Sequence, residues 1–328
     1  MIEQRRLLLA SAALTAALAG LPAAQAQPAD WPTRPIRLVV PFAAGGTTDL
    51  IARVVAEPLG RELGQPVIVE NRGGGGGTIG AAEIVRAAPD GYAIGISTIS
   101  TIATNPAINP KTPYDPLTDF TPIVNLAATP SVIAVNKDFA GKDLKSAIET
   151  LKRAPDKYSY GSSGQGGIQH LMMEMFKIET GTSITHIPYR GAGPALADTV
   201  AGQVAMTLDQ IPSILPFIKS GQLVPLVVAA PQRVPVLPDV PTLAEAGMPG
   251  VNRLAFYGVV GPKGMPPAVV QRLNAAAVKV LNDPAVRKRI EDTGSFVVAN
   301  SPEAFGQQIR EEYRVYKDVV TRTRLTLD

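Results

Sequence analysis

The 328-residue chain contains no cysteine, two histidines and one tryptophan. Without a thiol there is no thiolate nucleophile, disulfide framework, iron–sulfur cluster or cysteine-built zinc site. Two histidines leave little from which to build a metal centre, so no metal and no cofactor is expected. An excess of one charge is also missing: 31 Lys and Arg stand against 28 Asp and Glu, a net +3, without the basic stripe that nucleic-acid binding requires. No P-loop Gly-Lys-Ser/Thr occurs, and Gly161-x-Ser163-x-Gln165 lacks the last glycine of a nucleophile elbow. Gly75-x-Gly77-x-x-Gly80 matches a dinucleotide fingerprint in form. Five consecutive glycines satisfy many patterns by accident, however, and the next strand ends at Ser97-Thr98 with no acid for a ribose.

Glycine and proline are plentiful, 30 of each, in a chain that is 45% hydrophobic and long enough for about two domains. Residues 1–26 read as a signal peptide. Arg5 and Arg6 form its basic start, Leu7 to Ala19 its apolar stretch, and Ala24-Gln25-Ala26 its cleavage site. The apolar stretch falls short of the ~20 residues of a spanning helix. The arginine pair admits twin-arginine export, although its flanking residues fit general secretion better. The mature protein is expected to begin at Gln27, to lose one net charge with Glu3, Arg5 and Arg6, and to be exported to the periplasm without a lipid anchor.

The mature chain repeats one pattern of strand, glycine-rich turn and helix. Ile36 to Val40 reads as a buried strand, and Thr47 or Thr48 as N-cap of a helix from Asp49 to Gly64 that Pro58 should kink. Val67 to Glu70 leads through Gly73 to Gly77 into a helix from Ile79 to Ala87, and strand Tyr92 to Ser97 runs into a Thr/Ser loop, 98–101. After Pro130 the pattern resumes with strands Ser131–Val135, Tyr158–Tyr160, Ile184–Ile187 and Val204–Leu208, and helices at 144–151, 168–178 and 196–201. A strand from Leu223 to Ala229 precedes a segment, 231–249, with five prolines at 231, 235, 238, 241 and 249, which favours an extended, semi-rigid path. Strand Ala255–Val260 and three helices opened by Pro266-Pro267, Asp283-Pro284 and Ser301-Pro302 finish the chain. Repeated βα units imply mostly parallel sheets in two α/β lobes, with crossings near 127 and 231: residues 27–126 with 232–328 form one lobe, 127–231 the other.

Ligands in such sheets sit at the carboxyl ends of strands, which selects the loops 41–48, 71–78, 98–101, 161–167 and 189–193. Their glycines either bring amide donors close to an anion or only permit tight turns. Arg190 and Asp209 each end a strand at the presumed cleft rim, where a charge needs a partner. Arg190 is suited to a bidentate carboxylate contact and Asp209 to a ligand amine, amide or water; an interlobe ion pair is the alternative for both. His170 reads as a helix-facing or capping residue, His186 as a packed or edge residue, and Met172, Met173 and Met175 as core. A serine hydrolase using the 161–167 loop with His170 or His186 is the enzymatic alternative.

Taken in order, Pro41-Phe42-Ala43-Ala44-Gly45-Gly46-Thr47-Thr48-Asp49, Asn71-Arg72-Gly73-Gly74-Gly75-Gly76-Gly77-Thr78-Ile79-Gly80, Gly161-Ser162-Ser163-Gly164 with His170-Leu171, Pro188-Tyr189-Arg190-Gly191 and Pro241-Thr242-Leu243-Ala244-Glu245-Ala246-Gly247 resemble the substrate receptors of tripartite tricarboxylate transporters, the Bug or TctC-type receptors. The resemblance spans nearly the whole mature chain and departs at Gly75, where the family usually has alanine. It implies a type II periplasmic-binding-protein fold: two Rossmann-like lobes joined by two crossover strands, closing on a small carboxylate. The ligand class is a di- or tricarboxylate, an acidic amino acid or a related organic acid. It further implies a monomeric, non-enzymatic receptor that delivers the ligand to tripartite membrane subunits, with a sensor protein as a possible second partner. Carried over position by position, the carboxylate would be held by Phe42, Ala43, Gly45, Gly46 and Thr47 from one lobe, and by Ser162, Ser163, Tyr189, Arg190, Gly191 and Asp209 from the other, partly through ordered waters.

Overall fold

The computed structural model describes residues 31–325; the expected signal peptide and the start at Gln27 lie outside the described residues. Two sheets carry the fold. In the first, β1 (Ile36–Val40), β2 (Val67–Asn71), β3 (Ala93–Thr98) and β4 (Phe120–Thr129) run parallel, with β10 (Ala255–Pro262) inserted antiparallel between β3 and β4, and β11 (Phe296–Val297) on the edge of β4. In the second, β6 (Ser159–Ser162), β7 (Thr185–Pro188), β8 (Met206–Gln210) and β9 (Leu223–Ala229) run parallel around an antiparallel β5 (Ser131–Asn136). Strand β5 is buried along its whole length, as a continuous apolar run in a sheet covered on both faces should be.

The helices follow the patterns that announce them. They are α1 (Thr47–Leu63), α2 (Thr78–Val85), a short α3 (Asn105–Ile108), α4 (Leu144–Arg153), α5 (Ile168–Thr180), α6 (Ala192–Val200) and α7 (Ile211–Lys219), then α8 (Pro267–Asn282), α9 (Pro284–Glu291) and α10 (Pro302–Thr323). Asp283 and Ser301 cap α9 and α10 through their side chains, as expected. The C-terminal helices cover the first sheet: Phe305 of α10 meets Phe256 of β10 edge-on at 5.5 Å, and the ring fits because residue 258 is a glycine.

Three expectations change, and one strand, β4, is additional to those read from the sequence. The cap of α1 is Gly46 in extended conformation, so neither Thr47 nor Thr48 caps the helix, and α1 continues through Pro58 to Leu63. The Thr/Ser stretch after β3 is not a loop but a buried π-helical turn, Ser100–Thr104, running into α3; the Thr101 hydroxyl bonds back to Thr98 and satisfies the backbone locally. The long strand β4 carries no clean pattern, being interrupted by Pro122 and Asn125. Finally, the proline-rich segment does not extend along the first lobe. Pro235 and Pro238 sit in turns, Val234, Leu237 and Val240 enter the core of the second sheet beside Val132 and Leu223, and the Leu243 amide donates to the Val228 carbonyl. The chain therefore leaves the first sheet at Pro130 and returns only at Ala255.

The carboxyl ends of the two parallel sets face each other, and their loops touch backbone to backbone. The Ala43 amide donates to the Arg190 carbonyl (3.1 Å), and the Ile168 amide to the Ser100 hydroxyl (3.0 Å). A Cβ on Gly73 would stand 2.5 Å from the Arg190 carbonyl oxygen, one on Gly76 2.4 Å from that of Gln165, and one on Gly193 2.3 Å from that of Ala44. No Cβ tolerates such approaches. Gly193 lies inside α6 with ordinary helical dihedrals, so Gly193→Ala adds only this interlobe clash. The variant should keep its far-UV circular dichroism while small-angle scattering reports a larger radius of gyration than the parent; an unchanged radius would mean that the loops do not set the closure.

Candidate functional site

The loop that enters the cleft from β1 is fixed by Asp49 and Asn71. Asn71 Nδ2 donates to the Phe42 carbonyl (3.0 Å) and to Asp49 Oδ1 (3.0 Å), while the Gly45 amide (3.1 Å) and Arg53 (2.9 Å) also bond the Asp49 carboxylate. Burial alone would raise the Asp49 carboxyl, but these donors hold it below its ordinary range. The result is a rigid turn that presents Gly46, Thr47 and Thr48 at the start of α1.

Between the lobes lies a narrow cavity lined by Phe42, Gly46, Thr47, Thr48, Thr98, Ile99, Ser100, Ser163, Ile168, Ala192, Gln210, Ala255 and Tyr257. None of these carries a charge at neutral pH. The amino ends of α1, α5 and α6, and Gln210 at the cap of α7, all contribute to the lining. Partial positive charge at each helix end therefore makes the cavity attractive to an anion, by roughly 0.3–1 kcal/mol per helix in exposed settings and more when water is excluded. Thr98, 5% exposed, lines this space, and its buried hydroxyl has no hydrogen-bond partner among the described residues.

Beneath the floor on the second lobe is a buried polar network. Ser213 Oγ donates to Asp209 Oδ2 (2.7 Å) and the Gln210 amide to Asp209 Oδ1 (2.8 Å); Gln169 bridges the same carboxylate to the Ser163 amide. Thr47 crosses from the first lobe and donates to Ser213 Oγ (3.0 Å). Asp209 is wholly buried, which pushes its carboxyl up to about 7 against the opposing pull of Ser213, Gln210 and Gln169.

Of the eleven expected site residues, Phe42, Gly46, Thr47 and Ser163 line the cavity. The other seven support it or point away. Ala43 and Gly191 are pressed together across the lobes, and Gly45 is spent on Asp49. Tyr189 donates to Asp198 (2.7 Å), and burial together with that contact pushes its phenol up to about 12. Arg190 contributes its carbonyl to the interlobe bond, while its side chain is exposed and is not among the residues lining the cavity. Asp209 faces Gln169 and Ser213 rather than the cavity or an arginine. Ser162 is fully buried and bonds His186 Nε2 (2.6 Å) inside the second lobe, away from the cavity lining. His186 in turn stacks on His170 (4.0 Å) and Tyr160 (4.8 Å), and burial beside His170 and Lys177 pushes its pKa down to about 3. His170 Nδ1 accepts from the Gly166 amide (3.1 Å), as a capping histidine does.

Sequence reasoning selected loop 98–101 but not Thr98 or Ser100 individually, and it missed Gln210 and Tyr257. Gln210 follows an acid at a strand end. Tyr257 is the one hydroxyl-bearing residue in an otherwise apolar strand, and its phenol is raised well above the ordinary value by burial and by Asp209.

In each sheet three successive parallel strands stand with the middle one first in sequence, next to a single antiparallel strand supplied by the crossing chain. That topology, doubled around an interlobe cavity, defines a type II periplasmic binding protein. The chain belongs to the tripartite tricarboxylate transporter family of receptors, whose family model matches residues 51–325. It is 35% identical to protein BugT of Bordetella pertussis over 317 residues, 96% of this chain and 97% of BugT. A solved structure of a periplasmic transporter is 50% identical, with a TM-score of 0.89, 91% of this chain and 100% of that one covered. MatC from Rhodopseudomonas palustris, solved with bound malate, is 36% identical with a TM-score of 0.86, covering 88% and 100% of the two chains.

Asp209 makes stability depend on pH with a definite sign. An unfolded carboxyl releases its proton near pH 4, whereas the folded one keeps it to about 7. Between these values the folded chain binds more protons, so this group's contribution falls as pH rises. His186, depressed to about 3, acts in the opposite sense below about pH 6.5. The informative quantity is therefore the difference between Asp209→Asn and the parent. Calorimetric melting from pH 5 to 8 should show the parent losing stability relative to the variant; a constant difference would place Asp209 in its ordinary range.

Proposed function

We propose that this protein is a periplasmic receptor that closes around a small organic carboxylate and hands it, chemically unchanged, to the membrane subunits of a tripartite permease. The observation that carries the reading is the interlobe cavity: helix amino ends, hydroxyls and amides converge on it without a cation in its lining, and one buried hydroxyl, that of Thr98, has no partner among the described residues. A carboxylate oxygen supplies the acceptor that Thr98 needs. Charge-assisted hydrogen bonds contribute about 1.5–3 kcal/mol each, so four or five neutral donors are enough for a micromolar affinity of about 8 kcal/mol. The malate held by the related MatC supports the same ligand class. The signal-like leader 1–26 and the receptor family support a periplasmic location.

A hydrolase reading gains nothing from the Ser162–His186 pair. Its serine is shielded from the cavity, and the carboxylate of the cluster, Glu174, stands 3.9 Å from His170 rather than beside His186. Delivery to a permease is the role for which closure is suited, since the closed form presents a surface formed from both lobes only when a ligand is enclosed.

Native mass spectrometry of the purified protein, followed by ligand release, should return an organic acid of unaltered mass. At about 100 times its dissociation constant that acid should raise the melting temperature by roughly 4 °C. Failure of every acid in a broad panel to do so would remove the reading. Thr98→Val should weaken binding about tenfold or more by removing a buried donor, whereas Arg190→Ala should change it less than about twofold; the reverse order in titration calorimetry would restore Arg190 as the clamp.

A further inference from the structure

The hydroxyl of Thr47 is committed before any ligand arrives. Its proton goes to Ser213 Oγ at 3.0 Å, and the Ser213 proton goes on to Asp209 Oδ2 at 2.7 Å, with the Gln210 carbonyl at 3.0 Å as its other acceptor. Ser213 has two acceptors other than Thr47, so the direction of the relay holds whether Asp209 is ionised or protonated. A protonated Oδ2 would donate to Ser213, which would still accept from Thr47 and donate to Gln210. Gln169 and the Gln210 amide, bonded to the other oxygen, Oδ1, hold the carboxylate in place. A threonine has one donor and two acceptor sites. With its proton spent, Thr47 offers the cavity only lone pairs, and the neighbouring Tyr257 hydroxyl takes at most one of them.

The lining of the same cavity thus includes two chemically opposite groups: Thr98, a donor with no partner among the described residues, and Thr47, an acceptor backed by a buried carboxylate two hydrogen bonds away. Resting on the carboxylate reading above and narrowing it, we infer that the Thr47–Ser213–Asp209 relay selects ligands that carry a hydroxyl beside the carboxylate, hydroxycarboxylic acids over their deoxy analogues. A hydroxyl rather than an ammonium is the matching donor. The acceptor is a neutral oxygen, no acidic side chain reaches the lining, and a buried ammonium has three protons and a full charge to satisfy. A deoxy acid leaves the Thr47 lone pair facing a methylene, the arrangement by which hydrogen-bonding sites reject analogues lacking the group.

Titration calorimetry with malate, succinate and aspartate, and with lactate, propionate and alanine, tests this on the intact protein. The hydroxy acid should bind about tenfold or more tightly than the deoxy acid in at least one series. Ser213→Ala frees the Thr47 proton and should bring that ratio towards one. Thr47→Val should do the same, while Thr47→Ser, which keeps the hydroxyl, should retain the ratio. Because the readout is a ratio within each variant, an overall loss of affinity does not obscure it. Equal binding of hydroxy and deoxy acids, or a ratio that survives both Ser213→Ala and Thr47→Val, overturns the relay while leaving the carboxylate reading intact. Tightest binding of the amino acid overturns the choice of hydroxyl. If no acid of either series or of the wider panel binds, the carboxylate reading itself fails and the relay with it.

Discussion

Everything in this molecule that concerns a ligand depends on how closely two backbones can approach across the cleft. The carboxyl ends of two parallel sheets face each other, and the loops between them meet with main-chain atoms where side chains would normally intervene. Gly73 against Arg190, Gly76 against Gln165, and Gly193 against Ala44 leave no room for a Cβ. Helix amino ends are carried inward by the same approach. Close packing of bare backbone is thus the means by which a neutral cavity acquires a positive potential.

That arrangement separates charge from recognition. The ionic groups near the site serve the scaffold: Asp49 and Arg53 hold the first loop, Asp198 holds Tyr189, and Asp209 lies under the floor. The cavity lining is left to apolar groups, hydroxyls, amides and helix ends, so an anion there would meet no opposing ion pair whose desolvation has to be overcome on each closure. Asp209 is the informative case. Wholly buried, it reaches the cavity lining only through its neighbours: Thr47 by way of Ser213, Ser163 by way of Gln169, and Gln210 directly.

Much of this could be read in the order of residues. Apolar runs ended by glycine-rich turns marked β1, β2 and β3 and their counterparts in the second lobe, and Asp283 and Ser301 marked helix starts because capping is local chemistry. The motifs at 41–49 and 71–80 identified the family. Direction was not legible. Arg190 and Asp209 both follow strands, but position along a chain does not reveal that one side chain turns to solvent and the other into a sheet covered on both faces. The glycines were legible as close approach, yet only the fold shows that most of that approach is to the opposite lobe. The proline-rich segment misled because apolar Val234, Leu237 and Val240, spaced between turns, dominate its path over the stiffness of the prolines.

Whether neutral donors alone hold an anion between the lobes is decided by a crystal structure of the protein with its copurifying acid. The carboxylate should lie in the interlobe cavity with an oxygen about 2.6–3.1 Å from the Thr98 hydroxyl, and with no lysine or arginine side chain in contact. A carboxylate bonded to the Arg190 guanidinium, or seated outside the cavity, would contradict a site of neutral donors alone.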